Sequence, residues 1–350
     1  MKRFLVLLFA LTLGACTPMV VQQAGAPGVD WQGPRLEADA VLSFDGARLG
    51  LSHWEAEGEP WAAIVAVHGM NDYANAFHFA GPEWAKAGVA TYAYDQRGHG
   101  RSPQRGVWGG SQLLTEDLRT VTALVRARHP KALIVVLGES LGGSVALDAF
   151  ASDRPPQADR LVLLSPGVWG WSNQSLPNKT LLWLAARFTG SKVYEPPDWL
   201  ARKVHPTDNR DELIAMGRDP LMIWGSRSDT LFGVVSEMQR GYKAAGKAAA
   251  PTLYLYGAHD QIIPKKAAFR AAQRLKPQDR SAYYQQGWHL LTRDKQRAVV
   301  IADVLAYLRD PTGPLPSGAG AIPSAPASRK NLRTAAGAGA SSPQISGVTP

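Results

Sequence analysis

The chain has 350 residues, of which 45% are hydrophobic and 19% are charged, with a formal net charge of +9 at pH 7. This composition is ordinary for a globular protein with a sizeable core. The lysines and arginines are scattered and form no dense basic block with interleaved aromatics, which argues against a nucleic-acid partner.

The N-terminus predicts a secretion signal rather than part of the fold. Residues 1–15 begin with basic side chains, continue with an apolar stretch too short to span a bilayer, and end in small residues ahead of Cys16. The ending LGAC resembles a bacterial lipobox, which implies cleavage before Cys16 and diacylation of its thiol. Cys16 is the single cysteine of the chain, so no internal disulfide forms.

The lipobox also carries an expectation about location. By the same resemblance, Thr17 in place of an aspartate favours anchoring at the periplasmic face of the outer membrane over the inner membrane. We therefore expect a membrane partner through the lipid anchor. The alternative is a plain signal peptide with an incidental cysteine.

Two terminal segments lack the periodicity of helices or strands. Residues 16–34 are rich in Gly, Pro, Gln and Val, and we interpret them as a lipidated tether. Residues 311–350 consist mainly of Pro, Ala, Gly and Ser, a composition that buries too little apolar surface to offset chain entropy. The sequence therefore predicts a disordered C-terminal tail.

Between these segments, short apolar runs alternate with helix-length stretches. This pattern predicts an α/β fold with a mostly parallel, eight-stranded sheet flanked by helices. The predicted strands are AVLSF, LGLSHW, AAIVAVH, VATYAYD, ALIVVLG, RLVLLSP, TLYLYG and SAYYQ. The predicted helices are Phe77 to Ala87, Gln112 to His129, Leu141 to Ser152, Lys265 to Leu275 and Lys295 to Leu308.

The alternation is interrupted by residues 166–250, too long a segment for a structureless loop. We predict an inserted helical cap there, between a first core part, 35–165, and a second, 251–310. The cap region contains the tryptophan-rich stretches VWGW, LLWLAARF, PPDWL and LMIWG. Most of these tryptophans are expected to pack the cap onto the body, and some to line an apolar entrance, because amphipathic rings suit a lipid–water boundary.

Four stretches at predicted strand ends carry the chemistry: VHGM at 67–70, GESLGG at 138–143, GAHDQIIP at 257–264 and GWHLL at 287–291. With these motifs, and with HGMNDYANAFHFAGPEWAKAGVATYAYDQRGHGRS, the chain resembles the α/β-hydrolase superfamily. Within it, the similarity is to the monoacylglycerol lipase and lysophospholipase group, over roughly residues 40–308. The chain order Ser, Asp, His supports this resemblance.

Three residues form the predicted catalytic set. Ser140 lies at a strand-to-helix junction between glycines, as a nucleophile on an elbow does, and a serine hydroxyl needs a base to take its proton. His289 is the candidate base, and Asp260 is expected to bond its other ring nitrogen. Asp229 is a rival carboxylate assigned to the cap, and Asp95 precedes the nucleophile, which the family's chain order disfavours.

The resemblance implies an oxyanion hole formed by the backbone amides of Met70 and Leu141. His68 is expected to shape its loop, and the DQRGHGRS stretch with Arg97, His99 and Arg101 to organise another. No metal-type clustering is apparent, and we expect no cofactor. The serine at the elbow argues against a dehalogenase, whose nucleophile is an aspartate.

The sequence thus predicts a serine hydrolase that cleaves carboxylic esters of single-chain lipids, monoacylglycerol or lysophospholipid, through an acyl-enzyme. Hydrolysis of other small esters, thioesters or peptides by the same triad is one alternative. A non-catalytic envelope scaffold with the same fold is the other. The oligomeric state does not follow from the sequence.

Overall fold

The structure is a computed structural model that describes residues 19–197, 199 and 203–324. The predicted signal peptide and Cys16 lie outside the described residues.

A nine-stranded sheet forms the centre of the molecule, with a separate two-stranded ribbon beside it. In chain order the strands are β1 (Arg35–Leu36), β2 (Ala40–Leu42), β3 (Arg48–Trp54), β4 (Ala62–Val67), β5 (Val89–Tyr94), β6 (Leu133–Glu139), β7 (Arg160–Leu164), β8 (Val193–Tyr194), β9 (Ser226–Arg227), β10 (Thr252–Gly257) and β11 (Arg280–Tyr284). Strands β8 and β9 form the ribbon.

The order of the large sheet is β1-β2-β3-β5-β4-β6-β7-β10-β11. All pairs from β5 to β11 are parallel, whereas β1, β2 and β3 are joined antiparallel and extend one edge. The mostly parallel α/β sheet is as predicted, with one strand more than the eight expected. The additional strand is the two-residue β1, which is too short to produce a hydrophobic pattern.

Helices cover both faces of the sheet. The helices of the described residues are α1 (Ala80–Lys86), α2 (Ser111–Arg128), α3 (Leu141–Phe150), α4 (Leu176–Phe188), α5 (Arg210–Arg218), α6 (Ser228–Ala244), α7 (Lys265–Ala272) and α8 (Arg297–Arg309), with 3₁₀ turns at Ala74–Phe77 and Trp171–Asn173. Every residue of β4, β5 and β10 is buried, because helices pack on both sides of these strands. Each fully buried aliphatic side chain stabilises the fold by roughly 1.5–3 kcal/mol.

The cap is shorter than predicted. Helix α6 falls within the predicted segment 166–250, but it packs along α3 on the body, with Gly241 against the backbone and side chain of Ser144. It is therefore the crossover helix between β7 and β10, and the inserted cap ends at about residue 227. Between residues 166 and 251 the sequence predicts no apolar strand. The hydrophobic pattern therefore did not separate this helix from the cap.

The predicted tether is partly attached to the body. Val21 pairs with Trp108 in an isolated bridge. The side-chain amide of Gln22 donates to the carbonyl of Val107 at 3.0 Å, and the amide of Val20 donates to Asp229 Oδ2 at 3.1 Å. Polar contacts of this kind leave no hydrophobic pattern in the sequence, so composition alone did not reveal them.

The prediction of disorder from residue 311 is wrong for residues 311–324. Ser317 N donates to the buried carboxylate of Asp303 at 2.9 Å, and Tyr283 N donates to Gly320 O at 2.8 Å. Strand β11 is an edge strand with unpaired backbone groups, and this segment satisfies one of them. Within the described part of the chain, no helix is both long and apolar enough to cross a bilayer.

Candidate active site

Ser140 occupies a strained turn between β6 and α3. Its backbone adopts φ 52° and ψ −116°, a region that L-residues seldom occupy and that costs roughly 1–3 kcal/mol. The turn is held in place because Ser140 N donates to Leu164 O at 3.0 Å and Gly167 N donates to Ser140 O at 2.7 Å. The structure therefore places Ser140 on an elbow at the carboxyl end of the sheet, as predicted.

The glycines around Ser140 are required by close backbone approach. A Cβ on Gly142 would clash with the carbonyl oxygen of Val67, and one on Gly138 would lie 2.6 Å from the carbonyl oxygen of Gly142. The elbow therefore tolerates no side chain at either position. This geometry explains the GESLGG pattern locally.

His289 and Asp260 form the predicted hydrogen bond. The distance from His289 Nδ1 to Asp260 Oδ2 is 2.9 Å, and both residues are buried. Asp260 Oδ1 accepts hydrogen bonds from the amides of Ile262 and Ile263 at 2.8 and 2.9 Å, which fix the carboxylate. Because a carboxylate accepts from Nδ1–H, the arrangement leaves Nε2 as the basic nitrogen.

The pKa of His289 reflects two opposing effects. Burial by itself lowers the pKa of the imidazole, but the negative charge of Asp260 and its hydrogen bond outweigh burial, and the pKa lies above the ordinary 6.5. Asp260 therefore stabilises the imidazolium that forms when the ring takes a proton.

The two rival carboxylates have other partners. Asp229 lies in the first turn of α6 and pairs with Arg227 at 2.7 Å. Asp95 accepts hydrogen bonds from Arg101 and from the amide of Ala74. Asp260 is thus the carboxylate that the structure places on His289.

Ser140 and His289 line one cavity of about 560 Å³ at the carboxyl end of the sheet. Met70 also lines it, in the turn after β4. Leu141 is the first residue of α3, so its amide has no intrahelical acceptor. Met70 thus shares a cavity with Ser140, Leu141 follows Ser140 directly in the chain, and the N-terminus of α3 favours negative charge there.

His68 shapes the oxyanion loop. Its Nε2 accepts from the amide of Gln96 at 2.8 Å, so Nδ1 carries the proton and donates to Gly69 O at 2.7 Å. Complete burial lowers the pKa of His68, which keeps the ring neutral. This fixed neutral ring matches the predicted loop-shaping role.

The DQRGHGRS stretch is held by ion pairs to buried carboxylates. Arg97 bonds Asp45 at 2.7 Å and Asp117 at 2.6 Å, and Arg101 bonds Asp95 at 2.8 Å. Burial lowers the pKa of His99 to about 3, so this ring is neutral, and its Nδ1 donates to Arg97 O at 3.1 Å. These side chains organise the loop, as the sequence predicted.

One charged residue behind the site was missed by the sequence analysis. Arg293 is buried and bonds Glu139, the residue before the nucleophile, and Asp72. Its position four residues after His289 follows no recognised spacing, so the sequence gives no signal that pairs it with Glu139. Among the described residues, no group of three or more His, Cys, Asp or Glu side chains is arranged to hold a metal ion.

The chain is similar to known hydrolases along most of its length. The family model of serine aminopeptidase, S33, matches residues 58–296. A monoacylglycerol lipase of Mycolicibacterium smegmatis is 25% identical over 282 residues, covering 75% of this chain and 93% of that protein. A monoglyceride lipase of Rattus norvegicus is 24% identical over 268 residues, covering 75% and 86%.

Solved structures share the fold. A monoacylglycerol lipase of Paleococcus ferrophilus superposes with a TM-score of 0.62 at 21% identity, covering 74% of this chain and 98% of that one. A soluble variant of a monoglyceride lipase from Saccharomyces cerevisiae, in complex with a substrate analog, gives 0.65 at 18% identity, covering 82% and 98%. The predicted α/β-hydrolase fold is thereby confirmed.

Proposed function

We propose that the chain, which belongs to the serine aminopeptidase S33 family, hydrolyses long-chain monoacylglycerols. The basis is that it is a serine ester hydrolase of the α/β-hydrolase fold. The observation that carries the proposal is the single cavity lined by Ser140 and by His289, with Asp260 bonded to the far side of the ring. The relatives named monoacylglycerol lipase and monoglyceride lipase support the substrate class.

The proposed mechanism proceeds through an acyl-enzyme. His289 Nε2 takes the proton of the Ser140 hydroxyl as its oxygen bonds to the acyl carbon. The amides of Met70 and Leu141 stabilise the oxyanion, and the imidazolium then protonates the departing glycerol oxygen. Water, deprotonated by the same imidazole, releases the fatty acid and restores Ser140.

The cavity walls support an acyl chain as ligand. Many of the lining side chains are apolar, and they come from both the cap and the body. They are Met216, Met222, Ile223, Trp224, Leu231, Ile262 and Leu290. A volume of about 560 Å³ lies within the range of small-molecule sites.

The charged residues of the cavity support a neutral headgroup. Its lining includes the carboxylates Asp72, Glu139 and Glu195, and among the described lining residues there is no lysine or arginine. Asp72 and Glu139 are paired with Arg293, but Arg293 does not line the cavity, so a phosphate would find no cation among the described lining residues. We therefore favour glycerol over a phosphate-bearing headgroup, and so monoacylglycerol over lysophospholipid.

The outer face of the cap supports action at a lipid surface. Leu176 and Leu181 of α4 are 75% and 70% exposed, and Trp183 on the same helix is also exposed. The Arg187 guanidinium stacks over the Trp183 ring, and Lys192 lies over Tyr194. Apolar side chains flanked by cations are suited to the interface of an anionic membrane.

Lipidation at Cys16, with the anchor in the outer membrane facing the periplasm, completes the proposal.

Turnover of a panel of esters tests this function. The panel comprises 1-oleoylglycerol, 1-oleoyl lysophosphatidylcholine, 1-oleoyl lysophosphatidic acid, and nitrophenyl acetate and laurate. We expect 1-oleoylglycerol to be hydrolysed fastest among the lipids and the laurate faster than the acetate. A strict preference for acetate, or for a phosphate-bearing lipid, would overturn the proposed substrate.

Covalent labelling tests the chemistry separately. A fluorophosphonate probe is expected to label the wild-type protein at Ser140 and to leave Ser140→Ala unlabelled. Folded wild-type protein that takes up no probe would favour the non-catalytic scaffold instead.

A further inference from the structure

A buried ionic cluster lies directly behind the reacting groups. Its centre is Arg293, whose Nη2 is 2.7 Å from Glu139 Oε1 and 2.7 Å from Asp72 Oδ2. Arg293 Nη1 is 3.8 Å from Glu212 Oε1. All four side chains are buried, so water screens these charges poorly.

The members of the cluster come from each part of the site. Glu139 precedes Ser140, and Asp72 follows Met70 by two residues in the oxyanion turn. Arg293 follows His289 by four residues in the same loop, and Glu212 belongs to α5 of the cap. One guanidinium thus bridges the segments that carry the nucleophile, the oxyanion donor and the base.

The cluster is poorly explained as a device for stability. One guanidinium faces three buried carboxylates, of which, within the described part of the chain, only Glu212 has a further ion-pair contact, to the His78 ring at 3.5 Å. Burial raises the pKa of Glu139 despite the neighbouring guanidinium. Glu139 Oε2 and Arg293 Nε have no hydrogen-bond partner among the described residues. Buried ion pairs of this kind are often matched or exceeded in stability by apolar side chains of similar size. A functional reason for the arrangement is therefore needed.

The cap restrains the base-bearing loop from the other side. The amides of His289 and Leu290 both donate to Pro206 O, at 3.0 and 2.9 Å. Asn209 Nδ2 donates to Arg293 O at 3.1 Å. The loop is therefore fixed by backbone bonds to the cap and by the Arg293 side chain to the body.

We propose that Arg293 is a positioning residue, which holds the elbow, the oxyanion turn and the His289 loop in their reactive arrangement. The inference rests on the proposed function, because the arrangement matters for acyl transfer to Ser140. Arg293 reaches the reacting atoms only through its neighbours. Small displacements of reacting groups lower rates about 100-fold, even when the substrate still binds.

The test compares two substitutions of Arg293 with a matched control. Arg97→Met removes another buried guanidinium that pairs with two carboxylates, at 2.7 and 2.6 Å, and neither Arg97 nor these partners line the cavity of Ser140 and His289. For each of Arg293→Met, Arg293→Lys and Arg97→Met, kcat and KM are measured on nitrophenyl laurate. Rates are divided by the number of competent sites, counted by fluorophosphonate titration, so that unfolded protein does not contribute.

We expect Arg293→Met to lower kcat per competent site about 100-fold with KM changed less than about threefold. Arg293→Lys, which retains the charge but not the forked geometry, is expected to recover part of this loss. Arg97→Met is expected to reduce stability and to keep kcat per competent site within about threefold of the wild type. Thermal melts monitored by circular dichroism follow the stability of all three.

Two outcomes would overturn the inference, and they are distinguishable from failure of the proposed function. If both Arg293 variants keep wild-type kcat per competent site, Arg293 is merely structural. The same conclusion follows if Arg97→Met and Arg293→Met lose kcat equally. A folded wild-type protein without any ester turnover would overturn the proposed function, and this inference with it.

Discussion

His289 Nδ1 lies 2.9 Å from Asp260 Oδ2, although the two residues are 29 positions apart along the chain. The contact arises because β10 and β11 are parallel neighbours, with Gly257 opposite Tyr284, so the loops after both strands emerge at the same edge. Carboxyl ends of parallel strands converge in this way in open α/β sheets. The Asp–His pair is therefore a direct consequence of strand order.

Asp260→Asn is predicted to lower kcat by about 10³- to 10⁴-fold, because an amide side chain no longer holds the required ring tautomer or stabilises the imidazolium. The measurement is steady-state hydrolysis of nitrophenyl laurate. Asp229→Asn is the matched control, since Asp229 is also buried but pairs with Arg227. If the Asp229 variant loses activity and the Asp260 variant does not, the assignment of the acid is wrong.

The pH dependence follows from the same contact. The imidazole acts as a base only when neutral, so activity is lost as the pH falls through the pKa of His289. Asp260 raises that pKa above 6.5, and the acid limb of kcat/KM is expected above that pH. In Asp260→Asn only burial and the remaining neighbours determine the pKa of His289, which should therefore be lower. The residual activity should then extend to lower pH. An unchanged or higher acid limb in the variant would contradict this explanation.

The elbow conformation predicts an unusual stability difference. Ser140→Gly should be more stable than Ser140→Ala by about 1 kcal/mol, because glycine adopts φ 52° without the strain that a Cβ imposes. Urea unfolding of both inactive variants measures the difference. Ser144 is the control, since it lies within α3 and its Oγ donates to Gly167 O. There glycine should be the less stable replacement, by a similar amount. The same sign at both positions would exclude strain at Ser140.

Local sequence patterns predicted the parts of the fold that depend on local periodicity. The run TLYLYG coincides with β10, and the segment from Leu141 begins α3 as expected. Ser140, Asp260 and His289 were identifiable because each follows a strand in a recognisable motif. The predicted helix Phe77 to Ala87 is shorter in the structure, because a 3₁₀ turn ends at Phe77 and α1 begins only at Ala80, with Pro82 in its first turn, where proline is tolerated.

Features that depend on distant partners were not predictable in this way. Arg293 is one of 38 lysines and arginines, and only the fold shows that it lies between Glu139 and Asp72. The segment after residue 310 has the composition of a disordered tail, yet it satisfies Tyr283 N at the sheet edge. Such contacts depend on what the neighbouring element leaves unpaired, which the segment's own residues do not record.

Leu181→Asp is predicted to weaken binding to vesicles that contain phosphatidylglycerol, by about 10-fold or more. Leu181 is 70% exposed on α4, and burying a leucine side chain in the interface contributes roughly 1.5–3 kcal/mol. Binding is measured by co-sedimentation with the vesicles. The protein used begins at Thr17, so that the lipid anchor does not contribute to binding. Val299→Asp is the control, since Val299 is an exposed aliphatic residue on α8. Equal loss in both variants would point to charge alone rather than to the cap.

Glu237 is predicted to make the protein less stable as the pH rises. Burial within α6, with the Asp148 carboxylate nearby, raises its pKa from 4.5 to about 7. Between these values the folded state binds the proton and the unfolded chain does not, so the free energy of unfolding falls with increasing pH. Replacing the carboxyl by the neutral amide in Glu237→Gln should remove this slope and stabilise the protein at pH 8 by on the order of 2 kcal/mol.

Urea unfolding at several pH values between 5 and 8 measures the effect of Glu237. Glu83→Gln is the matched control, because Glu83 is exposed and pairs with Lys86 at the surface of α1. Its unfolding free energy should follow the wild-type pH dependence within a few tenths of a kcal/mol, as exposed ion pairs contribute little. If the Glu237→Gln curve also runs parallel to the wild type, the carboxylate is already ionised at low pH. Arg240, whose Nε lies 3.9 Å from Glu237 Oε2, would then be stabilising the charge more than burial opposes it.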